Sequence, residues 1–318
     1  MNSHAPFRFE SFFVGGCRTL VSGRPSKPVS FTASAPPYTN NQNGHYHLNP
    51  AYVQAFLVGQ AENLVLVHGG GFTGSMWEST PDARPGWLQH SVAAGFNTYV
   101  IDNVGRGRAG WSATDLDALG PPITRTEEEA WELFRLGENS GYADRVAFEN
   151  QRFPTADLDN LTVHFVPRWL DHKSESAAAL LALLERIGPS IVVAHSQGTE
   201  CVFEAVERNA DQFKALVLVE PSAVPKSCKA MIEPQIPVLL VAGDYLDCLP
   251  LWRVLAASYV DLVREIESGG GIAKRLDLNL EVGPGFSHLP MMDIGSDKVF
   301  QLIHNWLETA ATCSRWRA

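Results

Sequence analysis

A serine stands where an apolar run breaks. Residues 190–200 read "SIVVAHSQGTE", which puts Ser196 between a β-type block and the start of a helical pattern. Strand, sharp turn and helix with a serine at the turn is the nucleophile elbow G-x-S-x-G, written here Ala194-His195-Ser196-Gln197-Gly198. Small residues two before and two after the serine let the turn close and leave the hydroxyl exposed in a strained conformation. Alanine in the first place departs from the usual glycine but is small enough to keep the turn. The helix that follows would aim its N-terminal amides at an oxyanion forming there. Serine also caps helices well, so the motif needs partners before it means acyl transfer.

A second stretch supplies one. "VHGGGFTG" ends an apolar run in His68-Gly69-Gly70-Gly71, the glycine-rich turn that brings another backbone N–H to a reacting carbonyl. The expected oxyanion donors are Gly70 N–H and Gln197 N–H, the latter from the residue after the nucleophile. His68 reads as a structural hydrogen-bonder at the turn, because a base must approach Ser196 from another side. A phosphate-binding loop does not fit, since neither the Walker spacing nor GxGxxG is present.

A base must follow on a later loop. Of the ten histidines, only His288 and His304 come after the serine. His304 sits inside an amphipathic pattern, whereas His288 follows a β-type run "LDLNLEV" and the breaker Gly283-Pro284-Gly285. His288 is the base. The acid has three candidates: Asp244 and Asp247 flank the usual register position after "PVLLVAG", which holds Leu246, and Glu220 ends the strand "KALVLV". A carboxylate at that strand end would stand at the carboxyl edge of a parallel sheet, where ligands bind in open α/β folds.

The elements that must position these residues are legible. "NLVLV", "NTYVID", "SIVVAH", "KALVLV" and "PVLLVA" are unbroken apolar runs, as strands buried on both faces should be. Helical spacing separates them, as in Leu180, Leu183, Leu184 and Ile187, stopped by Gly188-Pro189, and in Val299, Leu302, Ile303 and Trp306. The alternation predicts an α/β class with a doubly wound, mostly parallel sheet. The short runs "ESFFVGG", "RTLVS" and "AYVQAFLV" predict antiparallel strands at its N-terminal edge. All runs share one sheet, so residues 1–318 form a single domain. From Trp111 to Lys173 no clean strand occurs. Acidic helical pieces and scattered aromatics there predict a helical cap insertion, 111–173, lining an apolar pocket, against the alternative of a second small core packed on the sheet.

In these stretches the chain resembles the α/β-hydrolase superfamily, and more narrowly an atypical bacterial serine esterase group whose triad glutamate follows the sixth strand. The matching stretches are "SFFVGG", "VHGGG", "MWESTPDARPGW", "YVIDNVGRGRA", "HSQ", "VEP", "GDYLDCLPLW" and "FSHLPMMD", spread from residue 11 to 293. The resemblance implies Ser196, Glu220 and His288 as the triad, with Gly70 and Gln197 around the oxyanion and Gly69, Gly71 and Gly198 shaping the turns. Asp244 and Asp247 become the alternative acids. The group often carries adjacent cysteines where Gly70 and Gly71 stand, so the resemblance implies a more flexible oxyanion turn here.

The implied activity is carboxylic-ester hydrolysis through an acyl-enzyme, with no cofactor and no metal. Lactones, thioesters, amides and C–C bonds are other substrates this fold hydrolyses, and a non-catalytic small-molecule-binding homologue is the reading furthest from an enzyme. The formal net charge of −10, with no compensating basic block, argues against nucleic acid or an anionic membrane as partner. No apolar stretch approaches the ~20 residues that span a bilayer. The N-terminus lacks a basic start followed by an apolar run, so a cytoplasmic location is expected. A homodimer is left open. The five scattered cysteines suit reduced thiols, with a bridge between Cys228 and Cys248 undecided.

Overall fold

The computed structural model describes residues 7–313. Eight strands form one sheet: β1 Arg8–Val21, β2 Gly44–Leu57, β3 Asn63–Val67, β4 Asn97–Asp102, β5 Ser190–His195, β6 Phe213–Val219, β7 Val238–Ala242 and β8 Ala273–Asp277. Their spatial order is β1-β2-β4-β3-β5-β6-β7-β8. The β1–β2 and β2–β4 pairs are antiparallel, and every pair from β4 onward is parallel. Lys27–Val29 and Tyr38–Asn40 form a small separate ladder.

The apolar runs are continuous because helices cover both faces of the sheet. Side chains alternate along a strand, so Val65, Val67, Val192, Ala194, Leu216 and Leu218 enter one core layer. Leu64, Leu66, Ile191, Val193, Val217 and Val219 enter the other. Helices α1 (Trp87–Ala93) and α10 (Ser296–Cys313) cover the second layer, and α5 (Lys173–Ile187), α6 (Gly198–Arg208) and α8 (Pro250–Ser268) cover the first. The remaining helices are α2 (Ala113–Leu119), α3 (Glu127–Leu133), α4 (Leu158–Thr162), α7 (Lys229–Ile232) and α9 (Leu278–Glu281). Among the described residues no helix is long and apolar enough to cross a membrane.

Two details depart from the sequence reading. "RTLVS" is no separate strand, because β1 runs on through residue 21 beside β2. The last strand lies earlier than "LDLNLEV" suggested: β8 closes at Asp277, and Leu278–Glu281 turns as a short helix with Leu278 in the core. A run with apolar residues at every second place fits either state when it is this short.

Between β4 and α5 the chain leaves the sheet and builds α2, α3 and α4. Backbone bonds clip this segment: Ile123 N–H to Arg168 O at 2.8 Å, Arg168 N–H to Ile123 O at 3.0 Å, and Val166 N–H to Gly71 O at 2.9 Å. The third bond ties it to the turn after β3. Most of its aromatics pack inward. Trp131, Phe134 and Phe153 belong to the sheet's second core layer, while Trp111 is exposed.

Candidate active site

Strand ends converge at one edge of the sheet. Beyond β5, Ser196 takes a left-handed φ of +48°, and beyond β6 Glu220 takes +50°. Such angles cost a side-chain-bearing residue ~1–3 kcal/mol, so the surroundings must impose them. Ser196 N–H continues the parallel ladder by donating to Val219 O at 3.0 Å, and Glu220 N–H donates to Val241 O at 2.9 Å. The small residue two after the serine is a matter of space, since a Cβ at Gly198 would collide with the His68 carbonyl. A Cβ at Gly69 would likewise collide with the His195 ring.

Ser196, His288 and Glu220 meet. Ser196 Oγ lies 3.0 Å from His288 Nε2, and His288 Nδ1 lies 3.2 Å from Glu220 Oε2. Glu220 and His288 are buried, whereas Ser196 opens onto a cavity. The other two carboxylates stand elsewhere. Asp244 accepts from Gly285 N–H and so braces the loop that delivers His288. Asp247 lies on the wall of a different hollow, between residues 132–140 and 245–249. His304 packs edge-on against Phe96 in α10.

The histidine is held from all sides. His288 N–H donates to Phe134 O at 3.0 Å, and His195 Nε2–H donates to His288 O at 2.9 Å. Its ring packs between Trp252, His195 and Phe134, with centroids at 4.6, 4.7 and 5.7 Å. Behind the loop, buried Asp293 accepts from Ser287 N–H at 2.6 Å and from Ser287 Oγ–H at 2.8 Å. Burial pushes the Asp293 carboxyl up to about 7 against those bonds.

A guanidinium completes the buried cluster. Arg135, just past α3 and fully buried, donates from Nη1 to Glu220 Oε2 at 2.8 Å and from Nε to Asp244 O at 2.7 Å. It lies over the Trp252 ring at 4.3 Å. Burial alone would raise the Glu220 carboxyl, but the Arg135 charge and the His288 bond hold it down at about 2. For His288 burial wins: it lowers the imidazole to about 4 despite the Glu220 hydrogen bond and charge. The resting site is therefore a neutral imidazole beside a carboxylate whose charge is already matched.

At the turn after β3, both ring nitrogens of His68 are occupied. Its Nδ1–H donates to Gly69 O at 2.8 Å, and its Nε2 accepts Asn103 N–H at 3.1 Å. Burial, only partly opposed by Asp102, lowers it to about 4, so it stays neutral and keeps that tautomer. Gly70 and Gln197 flank the mouth of the Ser196 cavity. Among the described residues neither N–H donates to another backbone carbonyl. The space a Gly70 side chain would need is filled by Arg168 Nη1 and by Gln197 Oε1, which would lie 2.5 Å from a Cβ. Gly71 adopts φ +77°, which favours glycine there.

The cavity in front of Ser196 measures about 260 Å³. The segment between β4 and α5 lends it Arg125, Leu133, Phe134, Arg168 and Leu170, so the lining is mixed where the sequence suggested an apolar one. α8 adds Leu251, Trp252 and Leu255. Arg125, Arg135, Arg168 and Trp252 are site residues that sequence reasoning missed, and His195 entered it only as part of the elbow. For Arg135 a faint signal existed: it is a lone cation between Phe134 and Leu136. Cys17, Cys201, Cys228 and Cys248 are free thiols. Among the described residues no group of three or more His, Cys, Asp or Glu side chains could hold a metal ion.

Comparison with known proteins bears on the fold. The model of a family described as the alpha/beta hydrolase family matches residues 64–288. A solved structure titled as a novel bacterial esterase superposes with a TM-score of 0.82 at 28% identity, over 96% of this chain and 97% of that one. A fungal protein described as a probable secreted lipase, phiG, is 26% identical over 198 residues. That match spans 57% of this chain and about half, 52%, of the fungal one.

Proposed function

The chain belongs to the alpha/beta hydrolase family, and from that premise we propose that it is a serine carboxylic-ester hydrolase working through Ser196, His288 and Glu220. The observation that carries the proposal is the unbroken relay from Ser196 Oγ to His288 at 3.0 Å and from His288 to Glu220 at 3.2 Å. The likeness to a bacterial esterase over nearly its whole length supports the same reading.

In this mechanism neutral His288 takes the Ser196 proton as Oγ attacks the ester carbonyl, and Glu220 holds the imidazole with Nδ1 protonated. Gly70 and Gln197 N–H groups receive the oxyanion, each worth ~3 kcal/mol of barrier lowering. His288 then returns the proton to the leaving alcohol. Water, with His288 again as base, releases the acid from the acyl-serine. The segment 111–173 acts as a cap: it contributes Phe134 and two arginines to the cavity wall and excludes bulk water from the acyl group.

Ser196→Ala should keep the fold and lose at least ~10³-fold in kcat/KM on a simple aryl ester. A fluorophosphonate probe should label the wild type at Ser196 and spare the variant. Comparable turnover by the purified variant would sink the assignment. Binding without turnover in the wild type would favour a non-catalytic pocket.

A further inference from the structure

Resting on the ester-hydrolase reading above, we propose that the cavity takes esters bearing a second, ionised carboxylate. These are half-esters of short dicarboxylic acids, with Arg125 and Arg168 gripping the free end.

Two guanidiniums line the cavity that Ser196 faces, in a chain whose formal net charge is −10. Both lie on the oxyanion turn. Arg168 Nη1 fills the place of a Gly70 side chain and donates to Gln197 Oε1 at 3.2 Å. Arg125 Nε would stand 3.9 Å from a Cβ at Gly71. The charges therefore sit beside the two backbone amides that receive the oxyanion, not at the far end of the cavity. The backbone fixes them there. The Ile123–Arg168 bridge brings the two arginine-bearing stretches side by side, and the Val166–Gly71 bond docks them on the turn. Arg106 secures the second stretch by donating to Pro167 O and Trp169 O, both at 3.3 Å.

The local acids leave donors over. Arg125 Nη1 lies 3.0 Å from Glu129 Oε1, but neither Nη1 nor the buried Nε has a hydrogen bond. Arg125 also lies over the Phe134 ring at 5.0 Å, which positions the guanidinium without using its N–H groups. Among the described residues on the cavity wall Glu200 is the one carboxylate, and Glu129, outside that wall, pairs with Arg125. Burial lowers both arginines from their ordinary value, and the nearby acids, Glu129 for both and Glu200 for Arg168, only partly oppose it, so each gains from a further anionic partner. A planar carboxylate fits guanidinium forks, and an ester whose carbonyl sits between Gly70 and Gln197 would need only a short acyl chain to bring a second carboxylate to them.

The chemistry balances as ordinary hydrolysis. Ser196 Oγ bonds the acyl carbon and the ester C–O bond breaks, with the alcohol leaving on the proton held by His288. Water then gives its oxygen to the acyl carbon and a proton back to Ser196. One half-ester anion and one water become a dicarboxylate dianion, an alcohol and a proton, which the new carboxyl gives up to solvent.

The test compares kcat/KM for an aryl hemisuccinate and an aryl hemiglutarate with that for an aryl butyrate and for the neutral methyl diesters. The wild type should prefer the charged esters by on the order of tenfold or more, the worth of a hydrogen bond to a charged group. That ratio should fall towards one in Arg125→Gln and Arg168→Gln, and recover in part in Arg168→Lys. Because it is a ratio within one variant, general damage to the oxyanion turn cancels. Independently of any variant, free succinate or glutarate should inhibit the wild type competitively. A wild-type ratio at or below one, or a ratio that survives both glutamine substitutions, overturns the proposal. Absence of turnover on every ester, neutral or charged, overturns the hydrolase reading itself and this inference with it.

Discussion

Arg135 and His288 converge on a single oxygen: Glu220 Oε2 accepts from Arg135 Nη1 at 2.8 Å and from His288 Nδ1 at 3.2 Å. A triad acid ordinarily lends its whole charge to the imidazolium that forms during attack. Here part of that charge is spent on a buried guanidinium. The imidazole lies well below its ordinary range, at about 4, with burial the leading cause and the Arg135 charge adding to it.

The pH profile should show this directly. If neutral His288 is the base, kcat/KM should hold as pH falls through 6.5 and decline only towards pH 4, where the imidazole charges. The measurement is a pH-rate profile on an ester whose leaving group does not titrate there. A half-maximal point at 6.5 would mean that the desolvation of His288 is offset in the working enzyme.

Arg135→Met separates the two effects of the guanidinium. Removing its charge leaves Glu220 buried with His288 and the Gly243 N–H as its partners, so both the carboxyl and the imidazole should titrate higher and the acid limb should move up. Breaking a fully buried ion pair on one side should also cost about 3–5 kcal/mol, seen as a lower Tm. An acid limb that stays in place while Tm falls would reduce Arg135 to a structural brace.

The acid itself is tested by three matched variants. Glu220→Gln should cost on the order of 10⁴ in kcat, as loss of a triad acid does, and should lower Tm because Arg135 loses its counter-charge. Asp244→Asn weakens only the brace to Gly285 and should cost far less. Asp247→Asn, on a separate hollow, should leave kcat near the wild-type value. A Glu220→Gln enzyme that keeps its kcat would remove Glu220 from the mechanism.

Ser196→Gly should be inactive yet more stable than Ser196→Ala. A φ of +48° is strained for alanine and serine but free for glycine, a difference of ~1 kcal/mol that exceeds glycine's entropic handicap where the native angle is left-handed. Thermal midpoints of the two variants, measured side by side, decide it. Equal midpoints would place no strain at the turn.

The parallel strands were legible because burial on both faces leaves no polar side to interrupt the run, as in "NLVLV" and "KALVLV". Ser196 was legible because its turn admits few residues, and Gly198 because a Cβ there meets the His68 carbonyl. Arg135 was not. Its partner stands 85 residues away, and its own neighbourhood, "TEEEAWELFRLG", reads as a solvated acidic helix. The mixed lining of the cavity was hidden for a related reason. Which side of a short segment faces a pocket depends here on backbone bonds such as Val166 to Gly71, and a backbone bond leaves no signature in residue types.

The Val166–Gly71 bond also bears on the order in which the molecule assembles. It joins stretches from two separate excursions of the chain, and the relay it serves is no more local: 92 residues separate Ser196 from His288, and 68 separate His288 from Glu220. Closing loops of that length takes entropy that strand pairing must already have supplied. During refolding the sheet should therefore form before the relay closes, and any ester hydrolysis should return later than the signal of sheet formation, when the segment between β4 and α5 settles onto the glycine turn.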